Sequence, residues 1–566
     1  MMKEKTPLTA RSPQEAEANS PGRQAAALAA ALLAALLVNV AMPGLESWRG
    51  HWWLLPFCLW PLFMAIQIAP RRAGWAGFVF GLAAWLGQLS WVTIVLGRYG
   101  GLPSWLSWIV LLLLAVYMAL YNALFCRLLL ALHRLWADFR PARAAMLALW
   151  APPVVWTGLD ALRGQLFTGF PWMDLGYGLF RVPLLLTPAD LGGHHLLTFT
   201  LVLVNSLLAL LPVVLRRSGL KALCAPTASA LCLLVVLAGY SGMRQKETRA
   251  EIEAAQRASI GLVQANIEQD LKWNPAFKEE TVTRYLGLSA GLAKDNDLDL
   301  LIWPESALPF YPQDDPLASR VAGFAARGPM LLTGAPFYRV TETLEGRVVQ
   351  YFNGALLIGP NARVAGTYAK QHLVPFGEYI PLKRLLFFLK PLAETIGDFT
   401  PGRHSGPLAA PTPDGRELRP GVLVCYESVF PKIARNSTAQ GANCLANLTN
   451  DAWYGRSSAP VQSLAMAVLR AVENRRSLVR AANTGISGLI DPLGRITGET
   501  GLFTEMAVAD SLPLMHSVSV FTKVGHAFGL CCALLILPLL LPVLLRRLGQ
   551  RAARRQFCMP ARTGRP

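Results

Sequence analysis

Eight apolar stretches, each long enough to cross roughly 30 Å of hydrocarbon as a helix, punctuate the chain at 24–41, 52–69, 74–97, 103–132, 144–162, 194–215, 221–240 and 524–546. Pro152, Pro153 and Asp160 interrupt the fifth. Between the seventh and eighth lies a polar block, 241–523, with a different rhythm. Short runs rich in Val, Leu and Ile predict strands there at 260–267, 298–303, 330–335, 354–359, 363–368, 421–425, 443–448, 478–482 and 486–491. Helix-type stretches at 276–294, 314–327, 429–440 and 461–475 separate several of them. Buried-strand runs alternating with helical segments predict an α/β domain. The expected organisation is a polytopic α-helical membrane domain with an α/β domain inserted before its last span. A polar, disordered tail is expected at 1–23, seven spans over 24–240, the α/β block over 241–523, the eighth span at 524–546 and a basic tail at 547–566.

Composition supports the membrane class: of 566 residues 53% are hydrophobic and only 16% charged, sparse for a soluble chain of this length. The net charge of +18 raises nucleic acid as a partner, and the placement of the charges decides against it. Arg71 and Arg72 follow the second span; Arg134, Arg140 and Arg143 the fourth; Arg216, Arg217 and Lys221 the sixth; and a run of arginines from Arg546 the eighth. The loops between the first and second spans and between the third and fourth carry only Arg49 and Arg98. This alternation predicts a multi-pass membrane protein with both termini cytoplasmic and the block on the outer side. It also requires the first segment to stay as an uncleaved helix.

Seven of the nine cysteines lie in or beside apolar segments, leaving Cys425 and Cys444 in the block. Either those two bridge adjacent strands or Cys425 is a free thiol; matched Cβ vectors would be needed for the bridge. Cys425 ends the β-type run Gly421–Val424 and precedes Tyr426 and Glu427, a place where a turn can present a nucleophile. Upstream, Trp303-Pro304-Glu305 sets a carboxylate after a strand and a fixed proline, suited to a general base. Lys370 closes the run 363–370 and supplies a cation able to lower a thiol pKa or hold an oxyanion. Singly, each is as readily an ordinary loop acid, a surface lysine or a buried cysteine. No phosphate loop and no His/Cys cluster of zinc spacing occurs in the sequence, so chemistry without a cofactor is expected.

The chain order Glu, Lys, Cys comes with Val263-Gln264-Ala265-Asn266-Ile267, Lys272-Trp273, His372–Tyr379, Asn447–Gly455, Glu473–Arg476 and Arg480–Gly485. Together these resemble the nitrilase (carbon–nitrogen hydrolase) superfamily. Coupled to eight spans and Thr168-Gly169-Phe170-Pro171-Trp172, the chain over 24–546 is similar to the apolipoprotein N-acyltransferase family. The resemblance implies an α-β-β-α sandwich for the block. It implies Glu305 as base, Lys370 as oxyanion cation and Cys425 as nucleophile, with supporting roles for Trp273, Glu378, Tyr426, Glu427 and Trp453. The sequence departs from the family's pattern at Asp160, Ser463 and Tyr454, none of them in the triad.

The implied activity is ping-pong transfer of an acyl chain from a membrane phospholipid, through a Cys425 thioester, to the free N-terminal amine of a diacylglyceryl-cysteine apolipoprotein. This is the final step of bacterial lipoprotein maturation. Nothing requires more than a monomer. The segment Leu382–Lys390 has the apolar and basic composition of a lid at the membrane interface or of an amphipathic core helix, and 164–193 has the aromatic content to line the same cleft. A membrane-anchored amidase shares the triad without using eight spans. A transporter would place ionisable residues within several spans, where the sequence has little beyond Asp160.

Overall fold

The structure, a computed structural model, describes residues 20–44, 50–136, 139–217, 221–343, 346–379, 399–403, 406–412 and 414–557. The expected lid at 382–390 and most of the predicted N-terminal tail lie outside the described residues. Helices occupy the apolar segments: α1 (Pro21–Ala41), α2 (Trp60–Ile68), α3 (Ala73–Gln88), α4 (Ser104–Trp136), α5 (Pro141–Arg163), α6 (Ala189–Arg217) and α7 (Lys221–Ala254).

Five of these (α1, α4, α5, α6 and α7) are long and apolar enough to cross a membrane, and α3 with its bent continuation raises the number to six. Among the described residues, then, five or six of the eight crossings expected from the sequence meet the length of a full span. In the second segment Pro56, Pro61 and Pro70 confine helix to nine residues, about 14 Å of rise where the hydrocarbon is about 30 Å thick. In the third, the chain bends by 56° between Gln88 and Val92. The seventh helix does not stop at the predicted boundary at 240 but runs on to Ala254, directly into the first strand.

The block supplies strands β1 (Arg257–Gln264), β2 (Leu300–Ile302), β3 (Met330–Thr343), β4 (Gly346–Ile358), β5 (Val364–Ala369), β6 (Ala410–Pro411), β7 (Glu417–Leu418), β8 (Pro420–Val424), β9 (Cys444–Thr449), β10 (Ser477–Ala482), β11 (Gly488–Ile490), β12 (Ile496–Thr497) and β13 (Met506–Pro513). Its main helices are α8 (Lys278–Asp295), α9 (Leu317–Ala325), α10 (Pro431–Ala439) and α11 (Ala459–Asn474). The chain returns to apolar sequence in α12 (Ala527–Phe557). One sheet has the order β13-β1-β2-β3-β4-β5, the other β12-β11-β10-β9-β8. Strands β8, β9 and β10 are parallel and buried along their whole length, and β8 is accordingly apolar throughout.

Alternation within the strands builds the layers. Val422 and Val424 join Ile260, Ile302 and Leu357 in the core between the sheets. Leu423, Leu445 and Leu478 face the other way, onto Ile433, Leu464 and Leu469 of α10 and α11. On the far side, Val282, Tyr285, Val321 and Ala325 of α8 and α9 cover the first sheet. The result is an α-β-β-α sandwich. Every residue of α11 is buried, because its second face meets the membrane helices: its apolar residues share one core with Leu59, Trp172 and Leu201.

Polar bolts cross that junction. Gln462 accepts from Trp172 Nε1 at 2.8 Å and donates to the Gln88 side chain at 3.1 Å. Arg475 pairs with Asp190 at 2.7 Å. Glu473 accepts from the backbone N–H of His194 at 3.0 Å and from Arg470 at 2.8 Å. Unpaired, such buried charges would each cost several kcal/mol. Asp160, one of the departures noted above, pairs with Arg163 at 3.3 Å, and Ser463 accepts from Arg480 at 3.1 Å.

Candidate active site

Strand direction brings the three predicted groups together. β2 runs parallel to β3, and β5 reaches the same direction through two antiparallel pairings, so Glu305 and Lys370 leave the first sheet at one end. Cys425 leaves β8 of the facing sheet. Glu305 is fixed by its neighbours: Trp303 is fully buried, stacks on Tyr285 and donates from Nε1 to Ser289 at 2.9 Å. The turn after it leans on β3 where only a glycine fits. A Cβ on Gly334 would lie 2.5 Å from the Cα of Glu305.

Around Glu305 a buried polar knot closes. Oε1 accepts from Asn353 at 2.9 Å and from Lys370 at 3.3 Å, and Oε2 accepts the Asn450 N–H at 3.0 Å. Lys370 also donates to Glu378 at 2.9 Å, and Glu378 accepts from Asn353 at 2.6 Å and from the Val374 N–H at 2.8 Å. Lys272 donates to the Glu305 carbonyl at 2.9 Å. Loops from both sheets meet here through Asn483, which donates to Asn450 at 3.0 Å and to the Ile267 carbonyl at 2.7 Å.

Electrostatics assigns protonation states. Burial pushes the Glu305 carboxyl up, but the Lys370 charge and hydrogen bonds from Asn353 and the Cys425 thiol outweigh it, so the carboxyl sits below its ordinary value. Burial pushes the Cys425 thiol up to about 12, helped by the Glu305 charge and opposed by Lys370. The thiol is therefore neutral at rest. The expected lowering by Lys370 is present but smaller than the burial it opposes. Burial also lowers Lys272, to about 8, against the charges of Glu305 and Cys425.

Cys425 itself has φ 51°, in the left-handed region, at the junction of β8 with the single 3-10 turn Cys425–Val429. A non-glycine residue held there stores roughly 1–3 kcal/mol of strain, a feature that gathers at functional sites. Glu427 holds the turn in place. Its carboxylate accepts from the Val424 N–H at 2.7 Å, the Tyr368 hydroxyl at 2.9 Å, and the N–H groups of Gln371 at 2.6 Å and His372 at 3.2 Å. It thereby clamps the Cys425 turn to the segment that carries Lys370.

Cys444 is a free thiol, and the register excludes the bridge to Cys425. Cys444 pairs with Pro420 at the other end of β8, roughly 16 Å of strand away. Tyr426 is buried against Trp172, Phe430 and His372 at ring separations of 6.4, 5.1 and 5.9 Å, so the aromatic stretch 164–193 does reach the residue beside Cys425. Trp273 and Trp453 stand outside the knot, 49% and 37% exposed, and Trp453 meets the Tyr99 ring edge-on at 5.9 Å. The sequence reading assigned no role to Lys272, Asn353 or Asn450. Lys272 had a signal in its place beside Trp273; Asn353 sits mid-strand, and Asn450 contributes through its backbone.

Two family models match the chain: the apolipoprotein N-acyltransferase N-terminal domain over residues 27–207 and carbon–nitrogen hydrolase over 259–512. The apolipoprotein N-acyltransferase of Geobacter metallireducens is 39% identical over 485 residues, covering 84% of this chain and 88% of that protein. Those of Azotobacter vinelandii and Rhodopseudomonas palustris are 34% and 33% identical, covering 88% and 91% of this chain and 93% and 94% of their own lengths. With a buried Glu-Lys-Cys knot in a sandwich whose outer helix packs on apolar helices, and relatives of this closeness along most of its length, the chain belongs to the apolipoprotein N-acyltransferase family.

Proposed function

We infer that this protein moves an acyl chain from a membrane phospholipid to the α-amine of a diacylglyceryl-cysteine apolipoprotein, with Cys425 as the covalent carrier. The observation that carries the reading is the convergence of a neutral thiol, an ionised carboxylate and a buried ammonium beside a helix that packs against the membrane helices.

In the first half-reaction Glu305 takes the thiol proton as sulfur attacks the ester carbonyl carbon. The carbonyl π pair moves to oxygen, and Lys370 receives that oxyanion. An ammonium has three donors; two of Lys370's are committed to Glu305 and Glu378, leaving one for the reacting group. A fixed donor of this kind is worth roughly 3 kcal/mol. Collapse breaks the ester C–O bond, Glu305 returns the proton to the leaving glycerol oxygen, and lysophospholipid departs. In the second half-reaction the neutral amine attacks the thioester carbonyl carbon and Glu305 takes its proton. Collapse breaks the C–S bond as Glu305 passes that proton to the departing sulfur, which restores the Cys425 thiol and leaves the amide. Thioester to amide is downhill, so no nucleotide is consumed.

Both half-reactions need the acyl chain to stay away from water, which accounts for a membrane domain that forms a wall of the catalytic block. On this reading the block faces the periplasm and one chain suffices as the working unit. Intact mass spectrometry after incubation with phosphatidylethanolamine tests the carrier. A hydroxylamine-sensitive gain of one acyl group in the wild type and none in Cys425→Ala is expected. Release of free fatty acid without such a gain, and without amide formation on an acceptor peptide, would favour a hydrolase instead.

A further inference from the structure

At the end of the helical domain opposite the catalytic block, a cavity of about 750 Å³ opens between α3, α4 and α12. Its position follows from two contacts. Gln88, at the block end of α3, bonds to Gln462, and Arg72 precedes the first residue of that sixteen-residue helix, roughly 24 Å away. On α4, Arg127 and Arg134 lie seven residues apart, two turns along one face. Arg71, Arg72, Arg127 and Arg134 line the cavity, with Trp75, Leu130 and Leu135 forming apolar wall.

Arginines at this end of a bundle are expected from membrane topology alone. Three observations go further. The guanidinium-bearing residues come from the short turn that precedes α3 and from two turns of α4, and open on one cavity. Among the described residues no carboxylate lines it, and Arg72, Arg127 and Arg134 have no ion-pair partner. The wall is also shaped for its cation, because the Arg127 stem lies across Gly74, where a Cβ would come within 2.6 Å of its Cγ. Planar guanidinium forks match phosphate oxygens bidentately, and an exposed Trp beside them suits the headgroup depth of a bilayer. The volume far exceeds the roughly 30 Å³ share of a water.

We propose that this cavity binds the phosphate headgroup of an anionic membrane phospholipid, at a site separate from the catalytic knot and on the opposite face of the bilayer. The bound lipid is a resident of the helical domain, not the acyl donor.

Native mass spectrometry of the full-length protein in detergent, offered equal phosphatidylglycerol and phosphatidylcholine, tests this. The wild type is expected to retain phosphatidylglycerol with roughly 100-fold preference, given the contribution of three arginines near a headgroup. Arg72→Gln/Arg127→Gln/Arg134→Gln should lose the preference while acyl-enzyme still forms with phosphatidylethanolamine. Should that triple variant fail to insert, Ala131→Trp fills the cavity with every charge kept and should also lose the adduct. Equal retention of both lipids by the wild type, or a preference unchanged in either variant, overturns the proposal. Displacement of phosphatidylglycerol by millimolar inorganic phosphate alone also overturns it, marking a small-anion site.

Discussion

Lys370 lies closer to Glu378 than to Glu305, at 2.9 Å against 3.3 Å. The cation of the site is thus anchored by a carboxylate that the proposed proton transfer does not use, which leaves Glu305 free to exchange a proton without releasing the ammonium. Glu378→Gln should preserve the shape of this anchor and remove its charge. We expect acyl-enzyme formation to slow by roughly 10- to 100-fold, the loss of a few kcal/mol of buried pairing, with Cys425 still open to alkylation. Single-turnover kinetics with phospholipid measures it; a rate within two-fold of wild type, about 0.4 kcal/mol, would remove Glu378 from the site.

Glu305 and Cys425 should separate in opposite directions when the base is removed. The Glu305 charge helps push the thiol up to about 12, so alkylation of the wild type should keep rising with pH beyond 9 and show no plateau near the free-thiol value of about 8.5. Glu305→Gln removes that charge. Alkylation at pH 8–9 should become faster, while acyl-enzyme formation falls by about 10²- to 10⁴-fold, the usual range for a positioned base. A variant in which both rates drop together would mean that the carboxylate holds the thiol's position and is not its base.

Gly334→Ala tests positioning without touching a polar atom. The new methyl group would press on the Glu305 backbone, and overpacking of this kind costs roughly 1–3 kcal/mol. A displacement of the base by about 1 Å should cost around 10²-fold in acylation. Thermal melting and acylation rate together read both effects; unchanged acylation with a lowered melting temperature would show that the turn relaxes without moving the carboxylate.

Glu427 should leave a signature in stability against pH. Burial pushes its carboxyl up to about 7 from an ordinary 4.5, against hydrogen bonds from Val424 and Gln371. Between those two values the folded protein holds a proton that the unfolded chain has released. Its contribution to stability is then complete below about 4.5 and is lost as pH rises through about 7. Melting temperatures of the wild type and Glu427→Gln across pH 4.5–8 should converge in slope everywhere except that window, where the wild type falls more steeply. Parallel curves would show the carboxyl to be ionised throughout.

The chemistry of the site was more legible in the sequence than its support. Cys425, Glu305 and Lys370 each follow a strand-forming run, so their place at sheet ends could be read from local pattern. The local pattern marks β4 only from Gly354 on, since its first half is exposed and carries Arg347 and Gln350; cross-strand pairing with β3 makes it a strand. β13 was missed for a related reason, as Asp510 and Ser511 mask a strand that pairs with β1 along its whole length. The Arg475–Asp190 and Gln462–Gln88 contacts join residues hundreds of positions apart, and no local window contains both partners.

Chain order gives the last helix an unusual duty. α12 packs against α4, α5 and α6, yet it is made only after the whole sandwich has been synthesised. The bundle therefore waits, with one side unfilled, while some 270 intervening residues from Arg257 to His526 are synthesised and folded. A slow-folding substitution in the sandwich would then register first as degradation of the helical half, before any loss of catalytic rate per folded molecule could be seen.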